Sequence, residues 1–138
     1  MNETESWVMD AVTGPNTLRE VRHALAEVWK AHGEVPERVR SEMAIAAGEV
    51  AANIVEHAGK GRPVRIRMQV RVSNDGVELR FFDDGERVQV DLHSVRLPDE
   101  SAERGRGLAV AQAVLRHLSY DRTADGNQWT LVSERFGD

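Results

Sequence analysis

Residues 63–72, PVRIRMQVRV, alternate apolar and polar side chains almost without a break. A period of two is the spacing of a strand with one buried face. Asn74-Asp75-Gly76 follows, and residues 77–83, VELRFFD, are again rich in strand-forming side chains. A tight turn closed by glycine joins two strands antiparallel. A second pair of strand-like segments, 119–124 and 128–135, flanks Asp125-Gly126-Asn127 and predicts a second hairpin. Two tight strand-to-strand links argue against a doubly wound parallel sheet, whose strands need long crossovers.

The rest of the chain supplies helices. Leu18, Val21, Leu25, Val28 and Trp29 recur at three and four residues and read as the stripe of an amphipathic helix, which Thr17 or Asn16 can cap and His32-Gly33 ends. Arg19 and Arg22 lie off that stripe, and Trp29 lies on it. Arg22 reads as a solvated charge or as a contact to a partner or a γ-phosphate. Pro36 sits at a helix start. From there to Ala58, Val39, Met43, Ala46, Val50, Ile54 and Ala58 predict one long helix, stopped by Gly59-Lys60-Gly61. Residues 5–12 read as a first strand, 86–103 as a long loop and 104–118 as a mostly apolar helix. The order strand, helix, helix, hairpin, loop, helix, hairpin predicts an α/β (α+β) two-layer sandwich with a mixed, mostly antiparallel sheet and helices on one face.

With 138 residues, 41% hydrophobic and 30% charged, the chain is of a size for a single domain spanning 1–138. It has no cysteine, which excludes disulfides and thiolate metal sites. The net charge of −5 disfavours nucleic acid as a partner. Arg65, Arg67 and Arg71 share one strand face, expected to be an outer, solvated one. No apolar run reaches the roughly 20 residues a membrane helix needs, and the acidic start MNETESWVMD is no secretory signal. A cytoplasmic location is the expectation.

Three local features carry chemistry. Within the long helix, Glu49, Asn53 and His57 are spaced by four and so share a face, amid Ala46, Ala47, Gly48, Ala51 and Ala52. The small residues leave room beside the two polar groups. A carboxylate and a carboxamide one turn apart can hold a water and a divalent cation, or can form a solvent face. His57 reads as a cap or packed side chain as readily as a ligand. Asp83-Asp84-Gly85 leaves a hydrophobic strand. It reads as an ordinary turn, or as a carboxylate that accepts from an exocyclic amine such as that of adenine, with Gly85 letting the chain turn under the ring. Arg104-Gly105-Arg106-Gly107 precedes an apolar helix. It reads as a flexible entry loop, or as a phosphate site built from exposed N–H groups and the helix dipole, with the arginines adding charge-assisted bonds.

Taken in order, Glu49-x-x-x-Asn53-x-x-x-His57, Asp83-x-Gly85 and Gly105-x-Gly107-Leu108 resemble the three ATP-site boxes of the GHKL superfamily, shared by gyrase, histidine kinases and MutL. The short build, the RGRGL helix start and the ending GNQWTLV resemble the anti-sigma-factor serine kinases in particular. The resemblance spans residues 5 to 135. It implies a Bergerat-type ATP-binding fold that takes ATP or ADP with Mg²⁺. Asn53 would bind the metal, and Asp83 would bond the adenine amino group beside Gly85. Arg104, Gly105, Arg106, Gly107 and Leu108 would form the phosphate-binding helix start, under a lid of residues 86–103. Glu49 would be the general base on a Ser or Thr hydroxyl. The resemblance further implies an anti-anti-sigma partner with a STAS domain, a sequestered sigma factor and a homodimer. The alternative within the same family is an ATP-binding switch module without turnover. One departure stands out: the last glycine of the usual D-x-G-x-G box is Arg87 here, which bears on the shape of the lid.

Overall fold

A computed structural model describes residues 7–88, 92 and 106–137. In chain order it contains β1 (Met9–Val12), α1 (Thr17–Ala31), α2 (Glu37–Asn53), a π-helical turn (Ile54–Ala58), β2 (Arg65–Val72), β3 (Val77–Asp83), α3 (Arg106–Val114), β4 (His117–Thr123) and β5 (Gly126–Val132). The five strands form one sheet in the order β1-β2-β3-β5-β4. Every neighbouring pair is antiparallel, so among the described residues the sheet has no parallel pair.

Alternation along β3 decides what lies under the helices. Val77, Leu79, Phe81 and Asp83 are buried, while Glu78, Arg80 and Phe82 between them are half-buried. Ile66 and Met68 of β2 and Trp129 and Leu131 of β5 join the same core face. The helices complete the core with Val21 and Leu25 of α1, Met43, Ala46 and Val50 of α2, and Leu108 and Ala111 of α3. Asp83 therefore continues the buried face of its strand by one more step of two. It is 5% exposed, at the end of a row of hydrophobic side chains.

The opposite face carries the basic side chains. Arg65 holds Asp10 through two bonds of 3.0 Å. Arg67 lies 5.2 Å from the centre of the Trp7 ring, which meets Phe82 edge-on. Arg71 is exposed. The expected outer face is thus there, with Trp7 covering part of it.

Several boundaries move relative to the sequence expectations. Asn16 makes no side-chain cap. Thr17 Oγ1 donates to Gly14 O and accepts from Gly14 N instead. Trp29 is half-buried and packs against the core, and Arg22 is exposed. The long helix does not run uniformly to Ala58. After Asn53 it widens, and Gly59 N–H reaches back five residues to Ile54 O. The second hairpin turns at Ala124-Asp125, and Gly126 already pairs with Thr123. Asn127 is therefore a strand residue and not part of the turn.

Candidate functional site

The C-terminal half of α2 is the backbone of the site. Glu49 and Asn53 are half-buried and one turn apart. Asn53 Oδ1 is buried and has no hydrogen-bond partner among the described residues. An unpaired buried amide oxygen costs free energy in the free protein. It is also a ready oxygen ligand. Mg²⁺ is commonly held by one or two protein oxygens together with phosphate oxygens and waters. A single unpaired oxygen beside a phosphate site fits that cation, and among the described residues no cluster of three His, Asp or Glu side chains offers an all-protein cage.

Glycine brings the other elements to this helix. A Cβ on Gly107 would overlap the Glu49 carboxylate, so the first turn of α3 packs directly on Glu49. A Cβ on Gly85 would lie 2.5 Å from Ala58 O, and Glu86 N–H donates to that carbonyl at 2.9 Å. The exit of β3 is thereby clamped to the π-helical turn. Glu49 and Ala58 are nine residues apart, roughly 13 Å at 1.5 Å per residue. A nucleoside triphosphate can bridge that span, with Asn53 between its ends.

At the β3 end, Asp83 Oδ1 accepts from Gly85 N–H at 2.8 Å and from Asn127 Nδ2 at 2.9 Å. Its Oδ2 is buried and has no hydrogen-bond partner among the described residues. Burial pushes the Asp83 carboxyl above the usual carboxylate range. The bonds from Asn127 and Gly85 pull it back, Asp84 pushes it up and Arg122 pulls it down. A fixed carboxylate with one free oxygen is an acceptor waiting for a donor.

The remaining expected residues fall out as follows. Arg104 and Gly105 lie outside the described residues, as do residues 89–91 and 93–103 of the expected lid. Arg106 opens α3, and its side chain also lies outside the description. Leu108 buries its side chain in the core, which leaves only its backbone for a ligand. His57 lies in the π-helical turn and is exposed, beside Glu56 at 3.6 Å.

Sequence reasoning passed over Asn127, Tyr120 and Arg122, which surround Asp83. The signal was the period-two relation of Asn127 to the buried Trp129 and Leu131, hidden by its reading as a turn residue.

A cavity of about 1430 Å³ lies at the other end of the sheet, between α1 and the β2–β3 turn, lined by residues such as His23, Val28, Arg71, Gly76 and Arg116. It adjoins Val77, the opposite end of β3 from Asp83, and takes in none of the site residues above.

Comparison with known proteins bears on the family and the fold. The family described as "Histidine kinase-like ATPase domain" matches residues 12–133. The serine/threonine-protein kinase BtrW of Bordetella bronchiseptica is 30% identical over 129 residues, 89% of this chain and 87% of that one. Among solved structures, the RsbU and RsbW domains of Rv1364c from Mycobacterium tuberculosis superpose with a TM-score of 0.60 at 19% identity. That superposition covers 92% of this chain, which spans 32% of the other. The catalytic domain of histidine kinase ThkA superposes with a TM-score of 0.56 at 10% identity, covering 94% and 99% of the two chains. At such identities the solved structures speak for the fold, while the family match over nearly the whole length speaks for descent: the chain belongs to the histidine kinase-like ATPase domain family.

Proposed function

We propose that the protein is an ATP-dependent serine/threonine kinase that phosphorylates a STAS-domain anti-anti-sigma partner and sequesters a sigma factor. The observation that carries the reading is the Glu49–Asn53 turn, with the α3 start against Glu49 and an unpaired Asn53 oxygen one turn further. The serine/threonine kinase name of the BtrW relative supports the choice of acceptor, and the RsbW-domain fold supports the partner-switching setting.

Within that reading, Asp83 and Gly85 take the adenine, and the N–H groups at the start of α3 take the phosphates. Arg104, Gly105 and Arg106 belong to that phosphate site by sequence. Asn53 would hold Mg²⁺, which when bound neutralises charge on the phosphate oxygens. Glu49 accepts the proton of the acceptor hydroxyl. The hydroxyl oxygen bonds to the γ-phosphorus, the bond from that phosphorus to the bridging oxygen breaks, and ADP leaves with the electron pair. Positioning supplies most of the rate in such transfers. A cytoplasmic homodimer completes the proposal. Among the described residues no helix is long and apolar enough to cross a membrane.

The test is transfer of labelled phosphate from ATP to a STAS-domain protein whose gene neighbours that of this chain. Glu49→Ala should retain ATP binding and lose transfer by at least a hundredfold, the scale of a positioned base. Undiminished transfer in Glu49→Ala would refute the role of Glu49. Stoichiometric ATP binding by the wild type, with no transfer to any STAS protein, would refute the kinase reading.

A further inference from the structure

The helical layer stops short of one end of the sheet. Ile66 and Met68 of β2 are fully covered. Val70 and Val72 continue the same face by steps of two, and both are only half-buried. At about 3.3 Å per residue along a strand, this leaves an apolar strip open beside α1. The strip is the floor of the cavity of about 1430 Å³ described above. One wall is α1 itself, from Glu20 through Ala24 and Val28 to Ala31, about three turns of helix. The β2–β3 turn and the segment after β5 add Gly76, Ser133 and Arg135. The space exceeds the roughly 300–1,000 Å³ of small-molecule pockets. Its walls are a helix and the helix-facing side of a sheet, and the element that extends such a layer is another helix.

The rim of this groove is basic, in a chain whose net charge is −5. Arg19, Arg71, Arg116 and Arg135 line it and are exposed. None of them joins an ion pair among the described residues. Of the acidic side chains on the same rim, Glu27 is paired with Lys30 at 3.1 Å and Glu78 with Arg80 at 2.7 Å. Glu20 and Asp75 remain, so the unpaired charge is positive in sum. The described helices of this chain offer no matching acidic face. α1 mixes Glu20 and Glu27 with Arg19, Arg22 and Lys30, α2 mixes Glu37 and Glu42 with Arg38 and Arg40, and α3 has no acidic residue. A second copy of the chain is therefore a poor occupant.

We propose that this groove receives an acidic amphipathic helix of a partner protein, laid beside α1 with its apolar stripe on Val28, Val70 and Val72 and its carboxylates toward Arg19, Arg71, Arg116 and Arg135. Such a helix has apolar residues at three and four positions, flanked by Glu or Asp. Apolar contact supplies the affinity, and the charge pairs supply orientation and the choice of partner. The groove adjoins Val77, while Asp83 stands at the other end of β3, so a helix bound here leaves the proposed nucleotide site open. Occupation of the groove goes beyond the nucleotide reading and holds whatever ligand the other end of the sheet takes.

The test titrates the whole isotope-labelled chain with synthetic peptides of about five helical turns, roughly 18 residues. One carries leucines at helical spacing flanked by glutamates, a twin carries lysines in place of the glutamates, and a third scrambles the order of the first. The acidic amphipathic peptide should bind about tenfold tighter than either control. Its amide shifts should centre on His23, Val28, Val72, Gly76 and Arg116. Joint replacement Arg71→Glu and Arg116→Glu, both at exposed positions where folding is not at stake, should reverse the preference between the two charged peptides. Peptides that bind alike, shifts centred elsewhere, a preference that survives the double charge reversal, or no binding of any peptide would overturn the proposal.

Discussion

Asp83 is a buried carboxyl that works against stability, at the position the proposed site gives to the base acceptor. Its carboxyl is raised by burial, so in the folded chain it takes up a proton at higher pH than in the unfolded chain. The folded state binds more protons over that interval, and this group's contribution to stability falls as pH rises through it. Asp83→Asn keeps an oxygen for Asn127 and Gly85 while removing the buried charge. Its Nδ2 would then face the donor of an incoming base. The variant should therefore be at least as thermostable as the wild type at neutral pH, with a flatter stability profile on the acid side. It should bind ATP tenfold to a hundredfold more weakly, matching the roughly 1.5–3 kcal/mol of a bond to a charged group. Thermal melts across pH and calorimetry check both halves. At this scale the sequence was a partial guide. Glu49, Asn53, Asp83, Gly85 and Gly107 are legible as motifs because spacing and residue type alone pick them out. Asn127, Tyr120 and Arg122 are not, because their role arises from cross-strand register, which one-dimensional spacing does not encode.

Helix continuation and strand exit meet at the π-helical turn. Its apolar pattern, Val50, Ile54 and Ala58, is that of any amphipathic helix, and periodicity alone could not reveal the extra residue in the winding. The widened turn presents Ala58 O to Glu86 N–H. Such turns recur at functional sites. The contact leaves no room at Gly85, where an added Cβ would meet Ala58 backbone and not a flexible side-chain end. Gly85→Ala should cost about 1–3 kcal/mol in denaturant unfolding, the range for overpacking a tight contact. It should weaken ATP further by displacing the strand exit. A Gly85→Ala protein with wild-type stability and affinity would contradict the clamp between β3 and the π-helical turn. The hairpins were legible for the opposite reason. Alternation in 77–83 tracks the buried face residue by residue, and in β2 it does so through Met68, after which Gln69 is buried and Val70 only half-buried; the second turn shifted because Gly126 takes up strand pairing.

At the scale of the molecule, one antiparallel sheet under three helices brings the end of β3, the end of α2 and the start of α3 to one edge of the core. The fold class was readable because two tight turns fix antiparallel pairing. The complete antiparallel order was not, since it depends on α3 carrying the chain past β3 so that β5 can return between β3 and β4. The molecule also has the cavity of about 1430 Å³ beside α1, far along β3 from Asp83, and this gives the central claim a direct competitor. The decisive measurement is amide chemical-shift mapping of the isotope-labelled protein titrated with ATP and Mg²⁺. The account predicts saturable shifts concentrated at Glu49, Asn53, Asp83, Gly85, Gly107 and Leu108, spreading to Asn127. Shifts gathered instead around His23, Arg71, Gly76 and Arg116, or no saturable shifts at all, would contradict it.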